Sequence, residues 1–156
     1  MSHVRVWTSD PNALQDVHLC ILRARGIYID DRWSEVAKTL KVPVGNGAFV
    51  EYKKFLSLKL AFADFRSKIF APDQEIDEWW HKHLLQDSAS YMQFCVDIAG
   101  EMVHHTGLTD SEMLKDMYAN FKAMRYLAWP STAFVWDKSP GNTKKRAVSL
   151  GSHVCG

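Results

Sequence analysis

The sequence predicts an all-α fold: a single-domain bundle of about six helices with little or no sheet. Three observations carry that expectation. Apolar residues recur at three- and four-residue spacing along most of the chain. Cap signals and proline or glycine punctuation divide it into helix-sized segments. Finally, 156 residues, 47% of them hydrophobic, make one domain of common size, with no repeat, low-complexity block or linker.

The first helix is expected from about Pro11 to Arg25, capped by Ser9 or Asp10 and closed by Gly26, with Leu14, Val17, Ile21 and Leu22 facing inward. A short second helix follows Asp30-Asp31 and carries Trp33, Val36, Ala37 and Leu40. Pro43, Gly45 and Gly47 make the stretch from Lys41 to Gly47 a loop. The third helix is expected from Ala48 to about Asp64, on Phe49, Tyr52, Phe55, Leu56, Leu60 and Ala63. Asp73 is the expected N-cap of a fourth, Gln74 to Asp87, and a fifth runs from Ala89 to His105. Thr109-Asp110-Ser111 opens the sixth, with Leu114, Met117, Tyr118, Phe121 and Met124. Ala133 to Trp136 reads as a short extended piece. The helical domain is placed at 1–137 and a mobile polar tail at 138–156.

Charge narrows the function classes. Nineteen Lys and Arg against eighteen Asp and Glu give a net charge of +1, so nucleic acid is not an expected partner. The cluster Lys144-Lys145-Arg146 reads as a solvated segment. Cys20, Cys95 and Cys155 cannot form an even disulfide framework, which suits a reducing compartment. There is no apolar run of bilayer-spanning length and no signal-peptide core, so the expected setting is cytoplasmic, with no membrane partner. Ser88 stands alone, without a nucleophile elbow.

The chemistry concentrates in two histidine pairs. Of seven histidines, His81, His83, His104 and His105 fall within 25 residues, and Asp77 precedes the first by one helical turn. At about 100° per residue, Asp77 and His81 share a helix face, whereas His83 lies ~160° from His81. One member of the His81/His83 pair is therefore a ligand or base, and the other packs or hydrogen-bonds. The apolar stripe Tyr91, Phe94, Cys95, Ile98 and Met102 extends by phase to His105, with His104 pointing away. The pair lies near the expected helix end, so either of the two remains a candidate.

Asp77, His81 and His105 then make two imidazoles and a carboxylate. That donor set suits non-haem Fe(II), and also catalytic Zn²⁺ with an open position; Cu is a third option. The expected function is a small metal-dependent enzyme, oxidative rather than hydrolytic, acting on a small molecule or peptide. His83, His104 and Tyr91 are its candidate catalytic groups, and Cys95 is assigned to core packing. A zinc-dependent hydrolase is one alternative. Another is a non-catalytic metal-binding or interaction module, with Trp33, Trp79, Trp80, Trp129 and Trp136 offering a partner surface. A metal-free Asp77–His81 general base is a third. The oligomeric state is left open.

The run Ala71-Pro-Asp-Gln-Glu-Ile-Asp-Glu-Trp-Trp-His-Lys-His-Leu-Leu-Gln-Asp-Ser, followed by Tyr91, Phe94-Cys95, Gly100 and His104-His105, resembles the glycine-rich domain-containing protein-like family of plants and small bacterial proteins. Asp77, Trp80, His81, His83, Leu85, Tyr91, Phe94, Cys95, His104 and His105 occupy its signature positions, over roughly residues 45 to 136. The resemblance implies that both histidine pairs belong together with Asp77. It implies no particular reaction, and the glycine-rich segment behind the family's name is absent here.

Overall fold

The helix that organises the bundle is the one whose sequence has no polar face. In GAFVEYKKFLSLKLA apolar side chains occur on every side, which suits a helix surrounded by others. The computed structural model, which describes residues 11–106 and 110–130, contains six helices there and no strand. They are α1 (Pro11–Tyr28), α2 (Arg32–Leu40), α3 (Gly47–Ala61), α4 (Gln74–Gln86), α5 (Ser88–Ala99) and α6 (Ser111–Ala128). Helices α1, α4, α5 and α6 all pack on α3, and α2 closes against α4. Phe49, Tyr52, Phe55, Leu56, Leu58 and Leu60 of α3 are essentially fully buried.

Burying α3 on all sides also buries its charges, and each finds a partner, as low-dielectric surroundings require. Arg125 of α6 grips Glu51 with two hydrogen bonds of 2.5 and 2.6 Å, and Lys54 lies 3.6 Å from the same carboxylate. Near the other end, Lys59 pairs with Asp64 at 2.7 Å. The bundle is thus clamped to α6 at one end of α3 and to the α3–α4 connection at the other.

Most boundaries follow the expected caps. Asp73 accepts from the Ile76 N–H at 2.8 Å and starts α4, while Asp110 accepts from the Glu112 and Met113 N–H groups and starts α6. Asp87 alone separates α4 from α5, accepting from the Ser90 N–H and hydroxyl. Asn46, expected within a loop, caps α3 by accepting from Ala48 and Phe49.

Three helix ends differ from expectation. Gly26 does not close α1, which continues to Tyr28: the cost of a helical glycine, about 1 kcal/mol, is offset by tertiary contacts of buried Ile27, whose carbonyl accepts from Trp33 Nε1 at 3.0 Å. Helix α3 stops at Ala61 instead of Asp64, because the Asp64 carboxylate is drawn into the following loop and Ala63 turns to φ 56°. Helix α5 ends at Ala99, not His105, because Gly100 adopts the left-handed conformation at φ 84°, which only glycine takes without penalty.

Among the described residues the tryptophans do not form a shared surface. Trp33 and Trp80 are buried, and Trp33 meets Phe94 edge-on at 4.6 Å, while Trp79 and Trp129 are half-buried. Cys20 and Cys95 are buried free thiols. Trp136, Cys155, the expected extended piece at 133–136, the boundary at 137 and the tail lie outside the described residues.

Candidate metal centre

Two backbone decisions bring the candidate ligands together. The Asp73 cap sets the start of α4, so that Asp77 and His81 lie one turn apart on one face. Gly100 then releases the chain from helix, and residues 102–106 run without regular structure back toward α4. His105 thereby reaches Asp77: its Nε2–H donates to Oδ1 at 2.8 Å. His81 Nδ1 lies 3.8 Å from the other oxygen, Oδ2. The two imidazole rings face each other with centroids 4.4 Å apart and planes 34° apart.

Each of Asp77, His81 and His105 offers a ligand atom within 4.8 Å of the other two. Donors held about 2.0–2.2 Å from one ion sit roughly 3–3.5 Å apart, so small side-chain rotations are enough to close them on a metal. Asp77 is 2% exposed, and the His81 side chain keeps 32% of its surface. The other ring nitrogen of His81, Nε2, is buried without a hydrogen-bond partner. The donor set therefore fits a transition metal. His81 also edges an open groove of about 450 Å³ with Glu78, Lys82, Leu85 and Gln86, so one side of the cluster is approachable.

The arm that carries His105 is tied down residue by residue. Val103 C=O accepts from the Tyr91 hydroxyl at 2.7 Å. The His104 N–H donates to Phe65 C=O at 2.8 Å, and His104 C=O accepts from Ser67 Oγ at 2.7 Å. The loop making these contacts is itself built on Asp64, whose carboxylate accepts from the N–H groups of Lys68, Ile69 and Phe70 and from Lys59 Nζ. Lys59 Nζ also donates to Ser67 Oγ at 3.1 Å. Burial pushes the Lys59 ammonium below its usual range, against the pull of Asp64 beside it. Lys59 also lies under the Trp80 ring, which packs on His105 with centroids 4.3 Å apart.

The three expected catalytic groups are placed elsewhere. His83 is 1% exposed and shares a 2.7 Å hydrogen bond between Nδ1 and the Tyr52 hydroxyl. Its ring is met edge-on by Tyr52, Tyr91 and Phe94. Burial pushes its pKa down to about 4, with Asp87 pulling weakly the other way, so it is neutral near pH 7. The Tyr91 hydroxyl is occupied twice, accepting from Trp80 Nε1 at 2.8 Å and donating to Val103, and burial holds it far above the usual tyrosine range. The Tyr91 hydroxyl has no free valence to offer the cluster, and His83 is not part of the metal-ligating group. His104 contributes its backbone to the arm and is not part of the metal-ligating group.

Between the two C-terminal histidines, the structure selects His105. Helical phase was the wrong reason for favouring it, since the segment is not helical; what aims it is the turn at Gly100 and the ties to the 63–70 loop. Sequence reading missed Lys59, Asp64 and Ser67 altogether. The available signal was modest: two opposite charges five residues apart where the third helix is expected to end. No protein-family model matches this chain, nor does any curated protein or solved structure.

Proposed function

We propose that this chain is a small metal-dependent enzyme in which Asp77, His81 and His105 hold one divalent transition metal, Fe(II) before Cu or Zn²⁺. The observation that carries the reading is the convergence of two imidazoles and one buried carboxylate. Three protein ligands leave coordination positions for substrate, the arrangement of catalytic centres, whereas structural sites are closed by four. Bound there, iron would supply the oxidative chemistry of two-histidine-one-carboxylate centres, and zinc would supply Lewis acidity for hydrolysis.

The chain's own residues have separable tasks. Before a metal enters, Asp77 accepts from His105 Nε2 and so sets that ring's orientation. Trp80 covers one face of His105 and keeps water from it. The groove beside His81 admits a small molecule or a peptide segment. The resemblance noted for the Asp77 to His105 pattern links Asp77 with the two histidine pairs, and one member of each, His81 and His105, lies beside it. Among the described residues no helix is long and apolar enough to cross a membrane. A cytoplasmic setting, with no membrane or nucleic-acid partner, accords with the free thiols and the near-zero net charge.

A second reading is favoured by the 2.8 Å Asp77–His105 hydrogen bond: a metal-free acid–base dyad. Elemental analysis of protein purified without a histidine tag separates the two. Near one equivalent of metal, retained through gel filtration or regained anaerobically with Fe(II), Cu or Zn²⁺, supports the metal centre. Stoichiometry near zero under all three additions leaves only the dyad.

A further inference from the structure

His105 sits on a segment with no secondary structure, yet its imidazole is held within 2.8 Å of a buried carboxylate on another element. Something other than helix geometry must fix it. The peptide group joining His104 to His105 has its carbonyl bound by Ser67 Oγ, and Ser67 Oγ is in turn bound by the fully buried Lys59. Ser67 takes this position at φ 53°, a left-handed conformation that disfavours every side chain with a Cβ. Glycine is the unstrained choice there. A serine held in a conformation its side chain disfavours, with its hydroxyl donating to the carbonyl next to a candidate ligand, is a feature expected of functional sites.

We infer that Ser67, anchored by Lys59 and Asp64, is a positioning residue that sets the reach of His105 toward Asp77 and His81, and so tunes the metal affinity of the centre. The inference rests on the proposed metal centre for its functional meaning, but the aim of the His105 ring is measurable without metal. Groups that orient ligands from behind are worth about 10–100-fold in metal affinity.

The test compares Ser67→Ala and Ser67→Gly with Ala63→Gly, which relaxes φ 56° in the same loop without touching the His105 arm, and with Asp77→Ala. In metal-free protein, the NMR signal of the His105 Nε2–H bonded to Asp77 should broaden or shift in both Ser67 variants and stay as in the wild type in Ala63→Gly. On titration with Co²⁺, both Ser67 variants should bind about tenfold more weakly with altered visible bands, and Ala63→Gly should bind like the wild type. Ser67→Gly should be at least as stable to urea as Ser67→Ala, so a loss of affinity in the glycine variant cannot be ascribed to a damaged fold. Ser67 variants matching the wild type in both the His105 signal and the Co²⁺ bands would overturn the inference, while Asp77-dependent binding in that experiment leaves the metal centre standing. Co²⁺ binding indifferent to Asp77→Ala would instead overturn the metal centre; the His105 signal then decides on Ser67 alone.

Discussion

His81 and His83 stand two residues apart on α4 but in opposite physical surroundings. His83 belongs to the aromatic core: it is 1% exposed, hydrogen-bonded to Tyr52 and enclosed by Tyr91 and Phe94. His81 is part-exposed beside an open groove, next to a buried carboxylate and a second imidazole, with a nitrogen that nothing satisfies. Evenly spaced letters in a His-Lys-His run therefore encode opposite roles, one stabilising and neutral, the other available. What separates them is the ~160° between the directions of side chains two residues apart on a helix, together with what α3 and the 102–106 segment bring to each face.

The contrast can be broken most strongly at Lys59, which supports the His81 side through Asp64 and Ser67. Lys59→Met strips a buried carboxylate of its cation and should destabilise the protein by about 3–5 kcal/mol in urea unfolding, with the His105 arm loosened. On the core side, His83→Ala removes the Tyr52 hydrogen bond and leaves a cavity, at a cost of about 2–4 kcal/mol, yet should leave metal stoichiometry unchanged.

Acid provides a gentler probe of the core side. His83 titrates near its ordinary 6.5 when unfolded and at about 4 when folded, so below pH 6.5 the unfolded chain binds the extra proton. Its contribution to stability is present above pH 6.5 and is lost as pH falls toward 4. Metal-free protein should lose about 2 kcal/mol of stability from this group between pH 8 and pH 5. His83→Gln, which keeps a hydrogen-bonding partner for Tyr52 without titrating, should show a correspondingly flatter profile in urea unfolding at stepped pH. Asp87, Tyr52 and Tyr91 lie around the ring and Arg32, Glu35 and Asp97 line the groove beside it; the two tyrosines stay protonated across this range.

The smallest expected effect is the most discriminating for His81. His81→Ala should change metal-free stability by no more than about 0.5 kcal/mol, since the ring is part-exposed and its buried nitrogen is unsatisfied, while abolishing metal binding. A stability loss as large as that of His83→Ala would place both histidines in the core.

Local signals were legible because they act over one or two turns. The caps at Asp73 and Asp110 and the shared face of Asp77 and His81 needed only spacing and side-chain chemistry. The assignment of Cys95 to the core likewise followed from the apolar stripe of its helix. The rest depended on contacts distant in sequence. Nothing near Lys59 announces that its ammonium is buried, because a lysine on a helix usually lies on a solvated face; it is enclosed only once α4 and the 63–70 loop close over it. The Tyr91 hydroxyl looked free for chemistry because its partners, Trp80 and Val103, lie eleven and twelve residues away. His105 was favoured by a helical phase that Gly100 cancels, and it reaches the site through ties to a loop some forty residues earlier.

Convergence of Asp77, His81 and His105 on one ion is tested most directly by X-ray absorption on protein loaded with a single equivalent of Zn²⁺. The expected spectrum contains scattering from two imidazoles and from light oxygen donors, and drops to one imidazole in His105→Ala. A first shell without histidine, or one that His105→Ala leaves unaltered, would contradict the site.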